Sequence, residues 1–272
     1  LQIPHIAVCI NKMDLVEHRK ESFEKIKSDF KKFSSKLEIK DVHFIPISAL
    51  NGDNVVERSK NMDWYEGSTL MHLLENIHIS SDHNHVDCRF PIQYVIRPQS
   101  AEYPDYRGYS GRIEGGVFKA GDEVTILPSG FTSKIKSIDT FNGKVREAFS
   151  PMSVCMTLED NFDISRGDML VRKNNQPYIE QDIELMICWM HDKKMILKGK
   201  YTIRHTSQTA RCIIKNIQYK MDINTLHRNE NENEIGLNDI GRITIRTTKS
   251  LFYDSYRRNR NTGSIILVDE AT

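Results

Sequence analysis

Hydrophobic and polar positions change period along this chain, and each change marks an element. Ile6-Ala7-Val8-Cys9-Ile10 is an unbroken apolar run, as in a parallel strand buried on both faces. From Val16 the spacing lengthens. Val16, Phe23, Ile26, Phe30, Phe33 and Leu37 recur at helical intervals among lysines and glutamates, which predicts an amphipathic helix. A second buried strand is expected over 42–47. A second helix follows from Leu70, Leu73, Leu74 and Ile77, with Ser68 as its N-cap. Right-handed crossovers make this stretch the edge of a doubly wound α/β domain.

Beyond a polar linker at 78–87 the pattern alternates and is broken by Gly, Asp and Pro. Strands are expected over 90–96, 109–114, 123–127, 133–138, 154–158 and 168–171, a spacing that suits a small β-barrel. Pro177 and its polar neighbours mark a boundary. Strands over 183–189, 210–219, 241–247 and 264–268 predict a second barrel. The fold class is therefore α/β plus all-β: an α/β piece at 1–82, then barrels at 83–176 and 177–272.

Composition narrows the class of partner. Across 272 residues, 38 basic side chains face 37 acidic ones, and the net charge of +1 argues against general affinity for nucleic acid or anionic lipid. No run approaches the roughly 20 apolar residues of a membrane helix. The five cysteines, at 9, 88, 155, 188 and 212, form no C-x-x-C pair, which favours reduced thiols in a cytoplasmic protein. The chain opens on Leu1 in an apolar run, so a truncated N-terminus is expected.

Asn11-Lys12-Met13-Asp14 directly follows the first strand, where open α/β sheets bind ligands. The N-K-x-D pattern suits guanine. The Asp14 carboxylate can accept parallel hydrogen bonds from guanine N1–H and the N2 amine, whereas adenine would leave it unpaired, at about 1–3 kcal/mol per unmade bond. Asn11 ties the loop or reaches the base, and the Lys12 stem covers the ring. Ser48-Ala49-Leu50 follows the next strand, where the Ala49 N–H can donate to guanine O6 and Ser48 can hold the loop. The phosphate half of such a site is missing: Gly143-Lys144 is followed by Val145, Gly199-Lys200 by Tyr201, and no G-x-x-x-x-G-K-[ST] loop occurs. Asp105-Tyr106-Arg107-Gly108 has the D-x-x-G form of a magnesium segment but lies downstream, in the barrel, and reads as a decoy. No catalytic or metal-ligating residue is assigned.

With Gly52-Asp53-Asn54-Val55-Val56 and Asn61-Met62-Asp63-Trp64-Tyr65-Glu66-Gly67-Ser68-Thr69-Leu70, these motifs resemble elongation factors of the 1-alpha/Tu class. They resemble more closely the GTPase subunit of bacterial sulfate adenylyltransferase (subunit 1, the ATP sulfurylase large subunit). Tyr106-Arg107-Gly108-Tyr109-Ser110-Gly111, Asp163-Ile164-Ser165-Arg166-Gly167-Asp168 and Leu237-Asn238-Asp239-Ile240-Gly241-Arg242 carry that distinction. The resemblance implies the C-terminal part of a P-loop-type G domain followed by two β-barrels, the last incomplete at its end, and GTP hydrolysis coupled to formation of adenylyl sulfate from ATP and sulfate. It implies GTP with Mg2+ in the intact protein, a catalytic small subunit of ATP sulfurylase as partner, and no membrane or nucleic acid. The alternative is an elongation factor holding aminoacyl-tRNA. With the phosphate loop and both switch segments absent, these residues alone are expected to be inactive and to bind GTP very weakly.

Smaller features have plainer readings. His83 and His85 read as solvated linker rather than metal ligands, and 229–234 as a solvated turn. Tyr256-Arg257-Arg258-Asn259-Arg260 reads as an exposed loop, with capture of phosphate or an acidic partner as the alternative. Trp189 and Phe252 are expected in cores.

Overall fold

The computed structural model describes residues 3, 5–35, 37, 41–77, 84–98 and 105–269. Two compact units divide the chain, Leu1–Asp82 and His83–Thr272.

In the first unit β1 (His5–Ile10) and β2 (Asp41–Pro46) run parallel, paired in register from His5 with Asp41 to Ile10 with Pro46. They are joined by α1 (Lys20–Ser34), and α2 (Leu70–Asn76) follows. The helix expected from Val16 begins instead at Lys20. Met13–Val16 form a 3-10 turn, and Glu17 (φ 53°) and His18 (φ 56°) then adopt left-handed backbone, which a right-handed helix cannot contain. Phe23 is buried against Trp64 and Tyr65, with ring centroids 5.4 and 6.2 Å away, while Ile26 and Phe33 remain exposed. Thr69, not Ser68, caps α2 by accepting the His72 N–H, and Ile77 falls outside the helix. The edge of β2 away from β1 is closed by side chains. Tyr65 Oη donates to the Phe44 carbonyl at 3.2 Å, Asn54 Nδ2 donates to that of Pro46 at 2.9 Å, and Pro46 has no N–H to offer another strand.

The second unit opens with β3 (Arg89–Pro91), β4 (Tyr94–Ile96), β5 (Gly108–Arg112), β6 (Val117–Lys119) and β7 (Glu123–Leu127). Then come β8 (Thr132–Thr140), β9 (Gly143–Val145), β10 (Glu147–Phe149), β11 (Ser153–Leu158) and β12 (Met169–Val171). They pair in the order β3-β12-β7-β8-β11-β5-β4, with β9 on β8 and β6 beside β10. The strand expected over 90–96 is therefore two. Ile92 turns into the core, its N–H bonded to the Asp168 carbonyl, while the Gln93 N–H reaches Ser110. This bend brings the sheet's two end strands together in sequence, although no ladder closes between them. Phe90, Tyr109, Phe118, Ile126, Ile138 and Leu170 fill its core.

The remaining strands are β13 (Tyr178–Cys188), β14 (Met195–Ile196), β15 (Lys200–His205), β16 (Gln208–Met221), β17 (Arg228–Asn229), β18 (Glu234–Ile235), β19 (Ile240–Tyr253) and β20 (Ile266–Val268). Their main sheet runs β13-β19-β16-β15-β20, with β17 on β16 and a separate β14–β18 pair. Ile183, Tyr201, Ile214, Ile243 and Ile245 alternate into this core, and Trp189 is buried there as expected. Phe252 is also buried, in a cluster with Leu127, Met169 and Val171 of the preceding sheet.

A buried polar network joins the two sheets. Arg89 is fully enclosed and donates from Nε and Nη2 to both Asp254 oxygens at 2.8 Å, while Nη1 reaches the Asn175 carbonyl at 2.7 Å. Asn175 Nδ2 donates to Asp87 at 2.8 Å, and Arg258 grips Asp87 through Nε and Nη2 at 2.7 and 2.6 Å. The Arg258 hydrogen bonds hold the Asp87 carboxyl far below the usual carboxylate range, against the opposing effect of burial. The 256–260 segment is thus not a plain exposed loop. Arg258 is committed to Asp87, and Asn259 is buried, donating to the Glu114 carbonyl at 3.0 Å. Of the linker expected at 78–87, residues 78–83 lie outside the described residues. Asn84 and Asp87 belong to this network, with Asn84 Nδ2 donating to Asp87 at 2.7 Å.

His205 sits at the same junction, only 2 % exposed, and its Nε2–H donates to the Thr262 carbonyl at 2.7 Å. Its buried Nδ1 has no hydrogen-bond partner among the described residues. A second proton would be buried there without an acceptor, and burial holds the imidazole below its ordinary value of 6.5. The unfolded chain therefore binds the extra proton first. Stability is full above pH 6.5 and falls as pH drops below it. Thermal unfolding followed between pH 7.5 and 5.5 is expected to show this loss, and His205→Gln to flatten the slope. An unchanged slope in that variant would remove His205 as its source.

Candidate functional site

Parallel pairing in register brings the C-terminal ends of β1 and β2 level, so the chain leaves both strands on one edge. Backbone bonds continue the alignment past the strands: the Ile47 N–H donates to Ile10 at 2.9 Å and the Met13 N–H to Ile47 at 3.2 Å. The loop at 11–14 and the loop at 48–50 are thereby laid side by side.

Side chains lock the pair. Asn11 Oδ1 accepts from the N–H of Lys12 at 2.7 Å and from that of Ala49 at 3.0 Å. Ser48 is fully buried, and its hydroxyl donates to Asp14 Oδ1 at 2.7 Å while accepting from the Asn51 N–H at 3.3 Å. One oxygen of a half-exposed carboxylate is fixed from behind, and the group is held in one orientation. Lys12 adopts left-handed backbone at φ 64°, which turns the chain back over this edge with its side chain exposed.

The predicted site residues divide into distinct roles. Asn11, Asp14, Ser48 and Ala49 are brought together, with Lys12 beside them. Met13 is 1 % exposed and belongs to the core with Ile10, Phe23 and Met62, so it anchors the loop from below. Leu50 is 86 % exposed, an apolar side chain held at the rim of the site. The Ala49 N–H, expected to be open to a ligand, is engaged by Asn11. It can serve a ligand oxygen only by sharing that hydrogen bond or releasing it.

Sequence reasoning missed the bracket behind these loops. The Ser48 N–H donates to the Asp53 carbonyl at 3.2 Å and the Gly52 N–H to Ser48 at 2.8 Å. The buried Asn54 ties this turn to Pro46 and, through Oδ1, to the Ser59 N–H at 2.9 Å. The Gly52-Asp53-Asn54 run was visible as a motif, but nothing in it gave the bracketing role.

Asp105-Tyr106-Arg107-Gly108 lies in the second unit, where it leads into β5 and Arg107 Nη1 donates to the Phe162 carbonyl at 2.9 Å. Of the linker histidines, His83 lies outside the described residues, and the His85 ring packs edge-on against Phe149. Among the described residues no group of three or more His, Cys, Asp or Glu side chains comes together to hold a metal. No described helix is long and apolar enough to cross a membrane.

Known families match both ends of the chain. The Elongation factor Tu GTP binding domain matches residues 1–81, and the GTP-eEF1A C-terminal domain-like family matches 182–272. The chain belongs to the translation-factor GTPase superfamily. Among curated members it is 46% identical, over 273 residues and all of its own length, to a bifunctional enzyme CysN/CysC of Mycobacterium tuberculosis, of which it covers 44%. It is 44% identical over 280 residues to sulfate adenylyltransferase subunit 1 of Bacteroides thetaiotaomicron, again over its whole length, and covers 57% of that protein. The chain thus spans about half the length of these relatives. Solved structures of the superfamily share the fold at low identity. The crystal structure of sup35 complexed with GMPPNP aligns with a TM-score of 0.63 at 19% identity, covering 98% of this chain and 67% of that one. The elongation factor SelB of Methanococcus maripaludis aligns at 0.51 and 20%, covering 98% and 59%. The resemblance read from the motifs is borne out by these relatives, and α/β plus all-β is the fold class.

Proposed function

We propose that this chain is part of the regulatory GTPase subunit of a sulfate adenylyltransferase. Its share of the work is to recognise the guanine base and to carry the β-rich body at 83–176 and 177–272. The observation that carries the reading is the Asp14 carboxylate, steadied by Ser48 at 2.7 Å and set at the level ends of two parallel strands. A carboxylate preset in this way accepts from guanine N1–H and the N2 amine without reorganising, and adenine offers no such donor pair. The Lys12 stem covers one ring face, Leu50 shields the rim, and the Ala49 N–H turns to O6 by sharing its bond with Asn11.

GTP is the nucleotide. Magnesium, which the family uses with it, finds no fitting ligand set among the described residues. The names of the relatives support a multi-subunit enzyme, and the partner is the catalytic subunit that makes adenylyl sulfate and pyrophosphate from ATP and sulfate. The setting is cytoplasmic, with neither membrane nor nucleic acid involved.

The test is sulfate-dependent pyrophosphate release from ATP by the full-length protein with its catalytic partner, with and without GTP. Stimulation of about 5- to 150-fold is expected, the usual range for coupled sites. Absence of any GTP effect in a complex that hydrolyses GTP would favour the elongation-factor reading, and salt-sensitive tRNA binding would then be measured.

A further inference from the structure

We infer that His18 and Asp53 form a clasp that positions the two base-reading loops, making both positioning residues for guanine selectivity; the inference rests on the base-reading role of Asp14. His18 Nε2 lies 3.3 Å from Asp53 Oδ2, with side chains 19% and 11% exposed. The contact joins the segment just after the 11–14 loop to the segment just after the 48–50 loop. Neither atom has a hydrogen-bond partner among the described residues, so the two meet as a polar contact at ion-pair distance and not as an aligned hydrogen bond. Loss of either group leaves the other's buried polar atom without this contact.

Both members of the clasp are themselves held. The Trp64 indole N–H donates to the His18 carbonyl at 2.9 Å, and the His18 N–H donates to Met13 at 2.8 Å. On the other side the Ser59 hydroxyl donates to Asp53 Oδ1 at 2.6 Å, while the Asp53 carbonyl receives the Ser48 N–H at 3.2 Å. A continuous path runs from the aromatic core through His18 and Asp53 to Ser48, and from Ser48 to the Asp14 carboxylate at 2.7 Å.

The backbone gives an independent sign. Glu17 and His18 both carry positive φ, 53° and 56°, without being glycine. Such residues persist where the surroundings over-determine them, and they concentrate at ligand sites. A helix continued from Val16 would avoid this conformation, and it would also carry the imidazole away from Asp53. The left-handed pair keeps His18 under the base-reading edge.

The clasp acts through Ser48 and Asp14, so its loss is read in selectivity for the base and not merely in folding. Inosine lacks the N2 amine, so the GDP-over-IDP affinity ratio isolates one Asp14 contact. In the full-length protein with its partner, His18→Phe is expected to lower that ratio about 3- to 10-fold, the size of one polar contact weakened. His18→Gln, which presents a side-chain nitrogen to Asp53, is expected to restore it. Asp53→Asn keeps the shape and the Ser59 bond but offers His18 an amide, and it is expected to lower the ratio as His18→Phe does. Should His18→Phe fold poorly, Asp53→Asn and His18→Gln decide between them. A ratio unchanged in His18→Phe and Asp53→Asn, whatever their melting temperatures, would overturn the inference. Asp14→Asn run in parallel separates the two levels. If it leaves GDP binding untouched, the base-reading role itself has failed; if it abolishes GDP preference while the clasp variants do nothing, only the clasp has failed.

Discussion

In the full-length protein, Asp14→Asn is expected to weaken GTP about 100- to 1000-fold and to make xanthosine triphosphate the better ligand. In the proposed role the carboxylate accepts two hydrogen bonds from guanine, and bonds to a charged group contribute about 1.5–3 kcal/mol each. Removing the charge and turning one acceptor into a donor loses most of both, which converts to that range of affinity. Ser48 makes the outcome directional. Its hydroxyl donates to Oδ1 of Asp14 at 2.7 Å, and in the variant it will select the amide oxygen in the same place. The amide nitrogen then faces the base, where xanthine carries a carbonyl in place of the guanine amine. Competition of GTP and xanthosine triphosphate against labelled GDP reads the switch directly. Unchanged GTP affinity would remove Asp14 from base recognition.

The second large effect is expected far from the nucleotide, at Asp254→Ala. Arg89 is fully buried, and two of its donors end on Asp254 at 2.8 Å. Removing the acid leaves an enclosed guanidinium uncompensated, at about 3–5 kcal/mol. For a unit of this size that corresponds to a fall of roughly 10 °C in melting temperature, since 1 kcal/mol shifts it by about 2–4 °C. The pair itself contributes less than its removal costs, because burying both charges is expensive. Arg89→Met combined with Asp254→Leu should therefore recover most of the loss. Arg258→Ala offers the contrast. Its side chain is 57% exposed, so water can replace the cation beside Asp87, and the expected loss is smaller. Calorimetry on the three variants gives the order. A single Asp254→Ala protein as stable as wild type would contradict the view that this junction holds the two β-sheets together.

The pairing of the two loops at the proposed base-reading edge was largely legible in the sequence because strand ends and motif positions coincide there. An apolar run followed by Asn11-Lys12-Met13-Asp14, and another followed by Ser48-Ala49-Leu50, implies adjacent loops once the strands are parallel. The structure supplied the register that makes them level. What stayed hidden were contacts that carry no periodic signal. His18 sits where helical spacing pointed to a helix interior, and only its left-handed backbone directs it to Asp53. Arg258 and Asp87 are 171 residues apart, so no local pattern foretold their pairing, and both segments looked solvated. Strands of five or more residues were read well at β7 and β8, although β15, which alternates over six positions, was not. Shorter ones were missed where two or three residues suffice, as at β6, β9 and β14, because so short a run has no measurable period. The strand expected over 90–96 failed for another reason: Ile92 is as buried as its neighbours but serves as the corner between two strands.

Nucleotide competition by the full-length wild-type protein tests the central claim most directly. Labelled GDP is bound first, and GDP, IDP and ADP are titrated against it. GDP should compete best, IDP should be weaker by about one polar contact, roughly 10-fold, and ADP should fail even at a hundredfold excess over GDP. Displacement by ADP as effective as by GDP would contradict the account, because the carboxylate held at Asp14 would then be reading nothing.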